Sequence, residues 1–137
     1  IVVTGEHDGD LERLAKDVKA ICLAHQQFFG EVPFSHYTFL LTVLEQGYGG
    51  LEHTYSSALI APRNTLPCVG QKNITKDYRT LLALFSHEYF HAWHVKRIKP
   101  QIFIKPSLIQ AECTQQLWAY EGITSYYDDW MLLKAGL

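Results

Sequence analysis

Apolar residues recur at three- and four-residue steps in GDLERLAKDVKAICLAHQQFFG, where Leu11, Leu14, Val18, Ile21 and Cys22 line one face. That spacing predicts an amphipathic helix, and Gly30 is a suitable stop. YTFLLTVLE follows EVPFSH; it is short and rich in β-branched and aromatic residues, as a buried strand is. After the break GYGG, LEHTYSSALIAP reads as a second strand closed by Pro62, and RNTLPCVGQKN reads as loop. A long helix is expected from Thr75 as N-cap, with Asp77 in its first turn. Leu81, Phe85, Ala92 and Val95 form its apolar stripe, and Pro100 ends it. Beyond the connector QIFIKPS, ECTQQLWAYEGITSYYDDWMLLKAG reads as mostly helix, re-aimed near Gly122. Helix, strand pair, helix and helix make an α+β domain.

The 137 residues suffice for one domain with a real core, taken here as 1–137. A formal net charge of −2 gives no reason to expect nucleic acid or an acidic membrane as partner. Nor does any stretch approach the ~18 uninterrupted apolar residues of a membrane span. Cys22, Cys68 and Cys113 lack CxxC spacing and read as buried packing residues. The NIT sequon at Asn73 is by default a turn. With IVVTG at one end and KAGL at the other, the chain reads as the core of a longer protein, and the compartment stays open.

SHEYFHAWH, residues 86–94, carries candidate chemistry. On a helix, residues four apart share a face about 6 Å apart along the axis, so His87 and His91 can converge on one ion. Glu88, rotated by about 100°, borders the site and is placed to take a proton from a metal-activated water. His94 lies about 10 Å along the axis from His87, too far to complete a tetrahedral centre, and is expected to pack or hydrogen-bond. The metzincin pattern fails, because it needs Gly at 94 and His at 97, where His94 and Arg97 stand. Candidates for a third ligand are Glu112, Glu121, Asp128 and Asp129. Glu121 stands out in LWAYEGITSYY, a carboxylate at the start of a helix followed by Gly; with two histidines it makes a His₂Glu zinc site with one open position. Ser125 and Asp128, one and two turns after Glu121, are candidates for orienting the histidines. Lys96, Arg97 and Lys99 read as charges matched to a helix end rather than as a carboxylate site.

HEYFHAWHVKRIKP, LWAYEGITSYY and GGLEHTYSS, in this chain's motif set, resemble the catalytic core of the glycyl aminopeptidase family of zinc metallopeptidases, members of the gluzincin group with a thermolysin-like catalytic domain. The resemblance runs from about FFGEVPF to the end. It implies one Zn2+ per chain held by His87, His91 and Glu121, with Glu88 as catalytic base. It implies an HExxH helix packed on a second, ligand-bearing helix beside a small sheet, flanked in the longer protein by an N-terminal β-rich domain and a C-terminal PDZ domain. Thermolysin-type spacing would place the carboxylate at Gln110, which is not anionic; here the motif travels with Glu121, 30 positions after His91. The oxyanion-steadying tyrosine of related aminopeptidases falls beyond Leu137.

By the same likeness, Glu52 in GGLEH meets the free amino group of a peptide, a charge-assisted hydrogen bond that fixes where the chain begins. Gly49 and Gly50 would let a peptide backbone approach the strand edge. The expected activity is hydrolysis of N-terminal residues from peptides by metal-activated water. The alternatives are a zinc endopeptidase and a non-catalytic peptide-binding module on the same fold.

Overall fold

The computed structural model describes residues 1–105, 107 and 109–137. Among these the chain forms an α+β domain in which α-helices share a core with a four-stranded sheet and the last helix packs against the other two. The elements are β1 (Val2–Thr4), α1 (Leu11–Phe29), β2 (Thr38–Leu44), β3 (Gly49–Glu52), β4 (Ser56–Pro62), α2 (Lys76–Phe90) and α3 (Leu117–Ala135), with short 3-10 turns at Arg63–Thr65 and Gln101–Phe103.

The strand order is β1-β2-β4-β3. β1, β2 and β4 run parallel, and β3 runs antiparallel to β4 at the edge. β2 alternates: Phe39, Leu41 and Val43 turn into the core while Leu40 and Leu44 face outward. Those inward residues, with Leu59 and Ala61 of β4, meet Leu14, Val18 and Ile21 of α1 and Leu81, Leu82, Phe85 and Tyr89 of α2. Burial of this apolar surface is the main force that seats α2 on the sheet, at roughly 1.5–3 kcal/mol per large side chain.

The helix limits follow from local chemistry. Asp10 caps α1 by accepting from the Arg13 amide at 3.0 Å, and Gly30 ends it with a left-handed φ of 71°. Thr75 caps α2 through Tyr78 N at 3.1 Å, as expected.

Four expectations need correction. β1 was not anticipated, because three residues at a chain end show no periodicity and pair only with the distant β2. LEHTYSSALIAP is two strands, β3 and β4, turning between them at residues 53–55, and Gly49 and Gly50 belong to β3 rather than to a break. α2 stops at Phe90 instead of running to Pro100. Its last carbonyls are diverted: Ala92 N bonds Tyr89 O, while Glu88 O accepts from Tyr37 Oη and Ser57 Oγ at 3.3 and 3.4 Å. α3 is continuous through Gly122, since one glycine within a helix costs only about 0.5–1 kcal/mol.

Two cysteines are also placed differently from expectation: Cys68 and Cys113 are exposed in loops, and only Cys22 packs against the core. Of the connector after the α2 turn, Pro106 lies outside the described residues.

Candidate active site

α2 brings His87 and His91 onto one face with their Nε2 atoms 3.2 Å apart. Glu121, in the first turns of α3, reaches them from the neighbouring helix, with Oε2 3.2 Å from His87 Nε2 and 3.6 Å from His91 Nε2. Among the described residues, Glu112 and Asp129 join no such cluster.

The outer ring nitrogens are committed elsewhere. His87 Nδ1 donates to Asp128 Oδ2 at 2.8 Å. His91 Nδ1 donates to the main-chain carbonyl of His94 at 2.9 Å. A carbonyl can only accept, so the proton of neutral His91 sits on Nδ1 and its Nε2 presents a lone pair. Two imidazole Nε2 atoms and a carboxylate oxygen thus face one another, a donor set suited to a divalent metal ion such as zinc.

The carbonyl that holds His91 depends on the turn after α2. Lys96 N bonds His91 O at 3.0 Å and Ile98 N bonds Trp93 O at 2.9 Å, five-residue steps that widen the coil and bring His94 O back over the His91 ring. The His94 ring itself stacks on Tyr120 and takes no part in the cluster, as its spacing implied.

Electrostatics are uneven. Burial would lower the pKa of His87, but its bond to Asp128 and the charges of Glu88, Asp128 and Glu121 outweigh it and hold the imidazole above its ordinary value. Metal binding there would release a proton. His91 is shifted the other way, by burial and by the nearby His87.

Glu88 lies against β3 and is almost fully buried; its Oε2 has no hydrogen-bond partner among the described residues. Burial pushes its pKa to about 7, reinforced by Glu52 and Glu121 and opposed by His87 and Lys96. A carboxylate tuned near neutrality is fit to take up and return a proton. Gly50 makes its position possible. A Cβ at residue 50 would run into the Glu88 carboxylate, whereas one at Gly49 would meet nothing within 4 Å among the described residues. Gly50 therefore answers to the helix behind it, while Gly49 leaves the strand edge open.

Glu52, at the end of β3, is not free. Lys96 Nζ sits 3.0 Å from its Oε1, a pair the sequence did not reveal because the residues are 44 positions apart. Burial would raise the Glu52 pKa, but its own backbone amide and Lys96 bring it below the usual value. Arg97 lies 3.5 Å from Glu31 in an exposed pair, so these two cations serve neighbouring elements rather than the helix end. Beside His87 and Glu88, a cavity of about 350 Å³ opens between Tyr48, Leu84 and Ser125. Ser125 lines this cavity and, among the described residues, makes no hydrogen bond to either histidine; Asp128 does.

Residues 80–137, which contain His87, Glu88, His91 and Glu121, match the M61 glycyl aminopeptidase family. A crystal structure of an aminopeptidase N family protein from Idiomarina loihiensis superposes with a TM-score of 0.94 at 42% identity over 98% of this chain. The family likeness thus covers the C-terminal part of the chain, and the structural likeness covers nearly all of it. The chain spans 23% of the length of that bacterial protein. No curated protein matches it. The glycyl aminopeptidase match leaves Gly49, Gly50 and Glu52 outside its bounds, so β3 is covered by the structural likeness alone.

Proposed function

We propose that this chain is the catalytic core, of thermolysin-like gluzincin type, of a zinc-dependent aminopeptidase. The observation that carries the reading is the convergence of His87 Nε2, His91 Nε2 and the Glu121 carboxylate while both Nδ1 atoms are bonded away from it. His87, His91 and Glu121 would hold one zinc ion, leaving a position open. When bound, zinc supplies Lewis acidity, making a water easier to deprotonate and a carbonyl easier to attack.

The chain's own residues supply the rest. Glu88 takes the proton of the attacking water, keeps it in a buried pocket, and gives it to the departing amine. Asp128 and the His94 carbonyl hold the two imidazoles in orientation and tautomer. Glu52 receives the α-ammonium of the peptide, and the open edge of β3 aligns its backbone.

The Lys96–Glu52 pair favours a second reading. A carboxylate already holding a cation has less attraction for a free amino group, as in an endopeptidase. Glu52→Gln separates the two: an aminopeptidase loses far more on free-amino peptides than on N-blocked ones, and an endopeptidase loses equally on both.

The metal is tested by its content in wild type and Glu121→Ala, purified without added metal and measured by plasma mass spectrometry. Near one zinc per chain in wild type, clearly reduced in the variant, supports the reading. No metal in wild type even after zinc is added overturns it.

A further inference from the structure

His25, on the inner face of α1, is 0% exposed and has no part in the scheme above. Its ring is caged by Tyr89, Phe90 and Trp93, with centroids 5.3, 5.8 and 6.3 Å away. Such a cage would suit an apolar side chain, yet it holds an imidazole whose Nδ1 has no partner among the described residues. Its Nε2 lies 2.9 Å from Ser86 Oγ, and Ser86 Oγ lies 2.9 Å from the main-chain carbonyl of Asp128. The directions follow from chemistry. The carbonyl only accepts, so the single hydroxyl proton of Ser86 goes to Asp128, and Ser86 accepts from His25 Nε2–H.

The outcome is a hydrogen-bonded chain across three helices: His25 of α1, Ser86 of α2, Asp128 of α3. Ser86 immediately precedes His87, and His87 bonds the side chain of the same Asp128. Two adjacent residues of α2 therefore grip one residue of α3, one by its main chain and the other by its carboxylate. Glu121 lies seven residues upstream of Asp128, about two turns along the same face. Glu121 is half-exposed near the start of α3, the same helix that this grip holds against α2.

We propose that His25 and Ser86 are positioning residues for the ion-binding cluster: the buried His25–Ser86–Asp128 chain fixes α3 against α2 so that Asp128 meets His87 Nδ1 and Glu121 meets both Nε2 atoms. The proposal rests on the metal-centre reading. It accounts for a polar residue where packing alone calls for leucine.

The test uses Co2+ as probe, with affinity measured by competition against a chromophoric chelator and site geometry read from the visible absorption of bound Co2+. His25→Leu fills the cage without a donor. Its melting temperature should equal or exceed that of wild type, yet Co2+ should bind on the order of tenfold more weakly with altered absorption bands. His25→Gln, whose amide N–H can replace Nε2–H, should restore both. Ser86→Ala, a mild change within a helix, should repeat the defect.

Wild-type affinity and bands in both His25→Leu and Ser86→Ala would overturn the proposal. Affinity losses that merely track lost stability, without rescue by His25→Gln, would overturn it as well. A wild type that binds no Co2+ would remove the metal-centre reading and this proposal together. That outcome is distinct, because all four proteins would then give the same blank spectrum.

Discussion

α2 and α3 supply the same cluster by different means. His87 in the last turn of α2 and His91 at its C-cap stand one helical turn apart, so their mutual distance is set by helix geometry and survives any shift of the helix as a whole. Glu121 arrives from the first turns of another helix and is half-exposed, so its place is set by how the helices pack. The first arrangement is local and robust; the second is a tertiary achievement that needs Asp128, and behind it Ser86 and His25. The proposed metal centre, built this way, should respond to mutation asymmetrically.

The largest effect is expected on the α2 side. Glu88→Gln should lower peptide hydrolysis by about 10²–10⁴-fold while zinc content stays at the wild-type value. Parallel turnover and metal measurements check this, and zinc lost with activity would make Glu88 a ligand instead of a base. On the α3 side, Asp128→Asn keeps the shape of the side chain but weakens its hold on His87. Metal affinity should fall by about 10–100-fold, seen by chelator competition. An unchanged affinity would mean that α2 alone orients its histidines.

A smaller change is expected at β3. Lys96→Met removes the cation beside Glu52, so KM for free-amino peptides should drop several-fold, with N-blocked peptides unaffected. A rise in KM would instead make Lys96 the residue that orients Glu52.

The smallest change concerns stability alone. Burial lowers the His25 pKa from its ordinary 6.5 to about 3, so between these values the unfolded chain binds one more proton than the folded one. Stability from this group is present above pH 6.5 and is lost as the pH falls toward 3, at about 1.4 kcal/mol per pH unit. Chemical denaturation of the metal-free protein between pH 6.5 and 5 should show this slope as the difference between wild type and His25→Leu, because Glu88, held up near 7, contributes the opposite slope to both in the same window.

The same division governs what could be read from the sequence. His87, Glu88 and His91 were legible because four-residue spacing has one meaning on a helix, and the caps at Asp10, Thr75 and Gly30 follow from residue type. Glu121 was found through its motif, since no spacing rule connects positions 30 apart. Asp128 was one of several acidic candidates until packing chose it. The early end of α2 was hidden because Ala92, Trp93 and Val95 continue the apolar period, while the hydroxyls that divert its carbonyls come from Tyr37 and Ser57 across the sheet. Lys96 and His25 were silent for a similar reason: each bonds to a residue more than forty positions away.

Gly50 carries a consequence for substitution as well as for chemistry. Because the carboxylate of Glu88 fills the space a side chain would take, a single added methyl group would push against that carboxylate from the strand side. A side chain at Gly49 would face open space among the described residues, whereas one at Gly50 would displace the Glu88 side chain from its place. Of two adjacent, chemically identical positions, one is sterically free and the other is bound to a partner thirty-eight residues on.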